Sequence, residues 1–193
     1  MSTRSGEMSR TMALEVGTMI FNLYKKVSHR IGDGVTDDTK AINAAISDGN
    51  RCAPDECGSS TTTPAIVYFP TGNYSVSSPI IPYYMTQLIG NPNAHPVLHA
   101  RSTFRGFAVI DAGGRGDGTL GWSGTNIFLR QIRNIDVDLT QISPFQEAVG
   151  IHWPTAQATS LQNIIITMSP GSVHKGIHIP LGQFCYYINI FQY

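Results

Sequence analysis

The sequence predicts an all-β solenoid, a parallel β-helix closed at its start by one capping α-helix, and three observations predict it. Ile132-Arg133-Asn134-Ile135-Asp136-Val137-Asp138-Leu139 and Leu161-Gln162-Asn163-Ile164-Ile165-Ile166-Thr167-Met168 share an apolar-x-Asn-Ile-x-β-branched-x-apolar pattern at an offset of 29 residues. A weaker copy, Cys185 to Gln192, follows a further 24 residues on, and Gly150-Ile151-His152-Trp153 and Gly176-Ile177-His178-Ile179 stand 26 apart. Such periods with strand-type alternation fit one coil of a solenoid, in which inward positions are buried only by stacking on the neighbouring coil. A leucine-rich repeat has a similar period but requires a Leu-x-x-Leu-x-Leu frame, which the sequence lacks. Stacked coils would set Asn134 and Asn163 one above the other as a ladder of side-chain amides.

In chain order, residues 1–30 form a divergent N-terminal segment and residues 31–193 a partial solenoid domain. Met1 to Arg10 mixes charges of both signs, and the apolar stretch Thr18 to Leu23 is shorter than the hydrophobic region of a secretory signal. No run approaches the roughly 18 apolar residues of a transmembrane helix. The helix follows: Asp37 or Asp38 can cap it, Ala41, Ile42, Ala45 and Ile46 form one apolar face, and Gly49-Asn50 offers a left-handed exit. Ahead of the strands, this amphipathic helix would cover the open end of the first coil. Ala65 to Phe69 is an apolar run stopped by Pro70 and Gly72, Tyr74 to Ser78 alternates, and Phe107 to Ala112 is stopped by Gly113-Gly114. The sequence stops at Ile190-Phe191-Gln192-Tyr193, inside a strand pattern, so a solenoid truncated at its C-terminus is expected.

Composition narrows the partners. Thirteen Lys and Arg balance 13 Asp and Glu, and charged residues make up 13% of the 193, about half the usual share. Zero net charge argues against nucleic acid, which is met by a basic face. No charge stands between Glu56 and Arg101, and after Glu147 only Lys175 interrupts a neutral run to the C-terminus. A surface of hydroxyls, amides and aromatics suits a neutral polysaccharide. Of three cysteines, Cys52 and Cys57 bracket a loop short enough to close a small disulfide ring, with two free thiols as the alternative, and Cys185 has no evident mate. No Cys or His pair at finger spacing supports zinc, and neither a metal nor a cofactor is expected.

Gly32-Asp33-Gly34-Val35-Thr36-Asp37-Asp38-Thr39 followed by Ala41 to Ile46 resembles the opening motif of the pectate-lyase-like β-helix superfamily. Within it, the runs Ile46 to Arg51, Cys57 to Phe69, Ser77 to Ile81, Gln87 to Gly90 and Gly150 to Asn163 resemble fungal glycoside hydrolase family fifty-five, the β-1,3-glucanases. The resemblance implies a right-handed parallel β-helix, the first part of the first of two tandem helices, acting on β-1,3-glucan outside the cell. Members hydrolyse with inversion, using a Glu acid from the second β-helix. By that resemblance Gln157 matches a glutamine that holds the attacking water. The partner Ser lies in a Gly-Ser-Gly-Gly stretch in relatives, where this sequence has Gly182-Gln183-Phe184-Cys185. Hydrolysis is therefore not expected from this chain alone, because the acid belongs to the second helix; the alternatives are a β-glucan-binding module without catalysis and a non-functional truncated product.

Other side chains carry weaker expectations. The Gly32-Asp33-Gly34 motif reads as a tight turn into the helix rather than a phosphate cradle. Asp136 and Asp138 share a strand face at about 6.8 Å, within the span of an inverting pair, but their alternation with Ile135, Val137 and Leu139 points to a solvated outer face. Trp153, close to Gln157 in its coil, and Trp122 are candidate sugar platforms, each also suited to burial. His152 and His178 recur at the coil period and are expected to stack without a third ligand for a metal.

Overall fold

The computed structural model describes residues 32–180 and 185–192, the latter by their backbone. The segment 1–30 and the Gly182-Gln183-Phe184 departure lie outside the described residues, as does the Cys185 side chain. Twelve strands are described: β1 (Asp33–Asp37), β2 (Ala65–Phe69), β3 (Asn73–Val76), β4 (Thr86–Gly90), β5 (Val97–Ala100), β6 (Ala108–Asp111), β7 (Gln131–Arg133), β8 (Asp136–Asp138), β9 (Val149–His152), β10 (Thr159–Thr167), β11 (Lys175–His178) and β12 (Cys185–Gln192). One helix, α1 (Thr39–Ser47), follows β1. All strand pairs are parallel and join one coil to the next, as a right-handed parallel β-helix requires. The strands stack in three rows. The first runs β2, β4, β7, β10, the second β1, β3, β5, β8, β10, and the third β6, β9, β11; β10 serves both of the first two and carries β12 beyond it.

Each row buries its β-branched and aliphatic positions on one continuous core. Val67, Leu88, Ile132 and Leu161 descend from the first row, and Tyr74, Leu98, Val137 and Ile166 from the second, all at 3% exposure or less. The 29-residue offset between the two best sequence copies is the observed register, Ile132 opposite Leu161 and Val137 opposite Ile166. The third copy is shifted. Leu161 pairs with Tyr187, an offset of 26 rather than 24. A two-residue slip keeps every side chain on its own face, so alternation alone cannot separate the two registers.

The bend between the first two rows rests on asparagine. Asn134 and Asn163 adopt φ of 56° and 58°, left-handed values that Asn tolerates better than most residues. Asn163 Nδ2 donates to Asn134 Oδ1 at 2.9 Å, which is the expected ladder. One coil earlier the position is Gly90, where an added Cβ would stand 1.9 Å from the Asn134 carbonyl oxygen. The outer face beside this bend differs from the expectation for Asp136 and Asp138. Both are about four-fifths buried, and each meets a histidine of the preceding coil: His95 Nδ1 to Asp136 and His99 Nδ1 to Asp138, both at 3.0 Å. Parallel stacking puts β5 directly beside β8, with His99 opposite Asp138, and so brings in partners some 40 residues away that strand alternation cannot reveal.

Helix α1 closes the first coil as predicted, with Ile42 and Ile46 entering the core. Gly49 and Asn50 provide the left-handed exit. The cap differs in detail. Asp38 occupies the N-cap position, but its Oδ2 accepts the Gly32 and Ser75 N–H groups, while Asp37 Oδ1 accepts the Thr39 N–H and hydroxyl. Asn43 does for the third row what a strand would do, its amide donating to Pro79 O and accepting from Ile81 N, both at 2.9 Å. Gly32 and Gly34 hold φ of 85° and 76°, with Gly32 against the ring of Tyr74, but Asp33 and Gly34 belong to β1, so the motif is an irregular strand start, with Asp33 Oδ1 accepting the Val35 and Thr36 N–H groups, rather than a tight turn into the helix.

A second, smaller core lies under the excursion 112–130 between β6 and β7, where Cys52, Tyr84, Trp122 and Ile127 pack together. Cys52 and Cys57 are joined as a disulfide. The ring they close meets the excursion through a bidentate pair, Asp55 with Arg115.

Two stability outcomes are expected. Asn163→Ala removes the hydrogen bond to Asn134 and leaves a Cβ residue in the left-handed region, and is expected to cost about 2 kcal/mol in urea unfolding; Asn163→Gly, which relieves the backbone, costs less. Replacing both Cys52 and Cys57 by Ser frees a six-residue ring and lowers stability by about 2 kcal/mol, read by the same measurement.

Candidate functional site

The C-terminal ends of β6, β9 and β11 bring a buried carboxylate and two imidazoles together. Register places Asp111, His152 and His178 in line. Asp111 Oδ1 accepts from His152 Nδ1 at 2.7 Å and from the Gly113 N–H at 2.8 Å, and both side chains are wholly buried. The Asp111 carboxylate therefore fixes the orientation of the His152 ring. The His178 ring lies 5.5 Å from it, so the two histidines stack as expected. Phe107 meets both rings edge to face, at 5.0 and 5.5 Å. Desolvation, with the charges of His152 and Lys175, holds the His178 imidazole below its ordinary value of 6.5, so it is neutral at pH 7.

Beyond His152 the chain leaves the third row through residues 153–158 and re-enters the first as β10. This turn is clamped from within by Thr159 Oγ1, which bonds to Ala156 O at 3.0 Å and lies 3.0 Å from Thr155 Oγ1. Ala158 takes φ of 58°, and Gln157, just before it, is exposed to solvent. Trp153 does not share that exposure. At 1% it belongs to the core, and an enclosed ring offers no face to a sugar. Its place in the turn puts it opposite Ile179, one coil on, and its N–H donates to His178 O. Trp122 is also buried, covered by the Arg130 guanidinium 4.5 Å above the ring. Arg130 itself is fully enclosed, bonded to Ala112 O and Tyr83 O, and burial pushes it down to about 9.

The two histidines and Gln157 are singled out in the sequence, whereas Asp111 is not. The carboxylate stands 41 residues before His152, outside the 24 to 29 period, because the excursion 112–130 intervenes. Among the described residues no group of three His, Cys, Asp or Glu is arranged to hold a metal. No described helix is long and apolar enough to cross a membrane.

A short-coil parallel solenoid with a helical cap narrows the family, and sequence comparison decides it. A family model described as rhamnogalacturonase A/epimerase, pectate lyase-like, matches residues 28–192. The chain belongs to this family. A glucan 1,3-beta-glucosidase of Cochliobolus carbonum is 52% identical over 156 residues, 79% of this chain and 20% of the relative. A probable glucan endo-1,3-beta-glucosidase of Arthroderma benhamiae is 52% identical over 141 residues, 72% of this chain and 16% of the relative. A non-secreted LysM effector of Penicillium expansum is 49% identical over 155 residues, 79% of this chain and 12% of the relative. The chain thus spans a fifth or less of the length of these relatives.

The half-buried His178 gives a pH dependence. Unfolded His178 takes up its proton near pH 6.5 and folded His178 only below that, so the unfolded state binds more protons in this window. Stability present above pH 6.5 is lost as pH falls through the folded value. Urea midpoints measured between about pH 7.5 and about pH 5 are expected to fall, and His178→Gln is expected to flatten part of that slope.

Proposed function

We propose that this β-helix supplies the glucan-binding, water-ordering side of a β-1,3-glucan hydrolase, and that the general acid comes from a second β-helix domain with which it pairs. The observation that carries the reading is an exposed Gln157 on a clamped turn, in a chain 52% identical to a glucan 1,3-beta-glucosidase over most of its length. Inversion requires one group to protonate the leaving oxygen and another, on the opposite face of the sugar, to order a water. A glutamine amide accepts one hydrogen of that water and donates to its oxygen, which fixes the lone pair toward the anomeric carbon. It can neither give nor take up a proton, so this reading assigns both the acid and the carboxylate base that receives the water's proton to the paired second domain. The charge-poor surface suits a neutral glucan, which loses little by leaving water for hydroxyl and amide partners. The Cys52–Cys57 disulfide supports an oxidising, extracellular location.

Laminarin tests the division of labour. The chain alone is expected to bind laminarin and release no reducing sugar, and release of glucose by the purified chain would overturn the assignment of the acid elsewhere. In an intact enzyme carrying this domain, Gln157→Ala is expected to lower kcat roughly a hundredfold with little change in KM. An unchanged kcat would remove Gln157 from the reaction.

A further inference from the structure

A cleft of about 370 Å3 opens at the opposite, N-terminal ends of the third-row strands. Phe107, Ala148 and Val149 form its apolar side, and Asp117, Glu147 and Lys175 stand around it. These three charges come from three successive parts of the chain, the excursion after β6, the lead into β9 and the first residue of β11. Glu147 and Lys175 are also the last two charged residues of the sequence, separated by a neutral stretch and followed by another. The stacking of coils brings them to one place. Among the described residues neither takes part in an ion pair, whereas Asp117 is fixed by the Thr119 N–H and hydroxyl. Desolvation is the main cause that lowers the proton affinity of His178, and the charge of Lys175 adds to it.

We propose that this cleft is a second saccharide site, separate from the Gln157 turn, which takes a single neutral pyranose unit. The volume is in the range of small-ligand pockets. An apolar side suits the C–H face of a sugar ring, as aromatic and aliphatic surfaces do in general. The carboxylates accept from ring hydroxyls, and the ammonium donates to a hydroxyl or ring oxygen. The mixed signs also select against charged ligands. An anion meets two carboxylates, and a cation meets Lys175, so a neutral polyol is the class that leaves no like charges opposed. From Val149 to His152 the strand β9 spans about 10 Å at 3.3 Å per residue, so a glucan lying along the third row would reach from this cleft toward the Gln157 turn. The identity of the sugar as a β-1,3-glucose unit rests on the function proposed above; the existence of the site does not.

Isothermal titration of the whole chain with laminaribiose tests the inference, with circular dichroism to establish that each variant is folded. Lys175→Met and Glu147→Gln are each expected to weaken binding about tenfold, and V173W, which fills the mouth beside Lys175, to abolish it, while Lys40→Met leaves this binding unchanged. The proposal is overturned if all three cleft variants bind as the parent does, or if binding is lost instead in Lys40→Met, which lines the separate cleft under α1. Tighter binding of glucosamine or gluconate than of glucose would overturn the neutral class. If the parent binds methyl glucoside or cellobiose through the cleft but not laminaribiose, the site stands and the β-1,3-glucan function falls.

Discussion

Everything in this domain depends on one coil lying on the next with its backbone paired and its bend held in place. The bend between the first two rows is the vulnerable point, since there the chain must turn sharply without losing register. Asn134 and Asn163 solve this twice over. Their backbones accept a left-handed conformation, and their amides bond to one another along the stacking direction. The same interaction reaches the outer surface, where His95 contacts Asp136 and lies 3.4 Å from the Asn163 amide. The core residues on either side, Ile132 and Leu161, then Val137 and Ile166, are stacked because this corner keeps its place.

A stack of coils has ends, and an end is a row of unpaired backbone groups. The helical end meets this with side chains that imitate a missing strand. Asp38 serves the second row at Ser75, Thr39 Oγ1 accepts from Ser77 N, and Asn43 satisfies both Pro79 and Ile81 on the third row. Apolar cover comes from the same element through Ile42 and Ile46. A single nine-residue helix thus combines burial with hydrogen bonding, and its polar residues are as specific as its apolar ones.

Much of this was legible in the sequence because the later coils are regular. The 29-residue copies, the 26-residue spacing of the histidines, the amide ladder and the capping helix all follow from period and alternation. What was hidden has physical causes. The earlier coils escaped detection because Gly90 stands where later coils have Asn, and because the excursion 112–130 stretches the offset from β4 to β7 to 44 residues, as in Gln87 opposite Gln131. The same stretch concealed the pairing of Asp111 with His152 and of His99 with Asp138. Burial of Trp153 was not readable either, since a ring at a coil corner is enclosed or exposed according to what the next coil places against it. Gln157, by contrast, was found from motif resemblance and lies on the surface.

Gly90 also says where this architecture can be lengthened. A side chain there would strike the Asn134 carbonyl and the ring of Pro96, so the junction between the β4 and β7 coils admits only its present partner. The junction from Asn134 to Asn163 is different, because each of its halves already accepts the other's residue type. A duplicated segment of residues 134–162 inserted after 162 would meet matching surfaces above and below. For anyone building longer solenoids from this chain, the later coils are the modular unit, and the earlier ones are a fixed foundation.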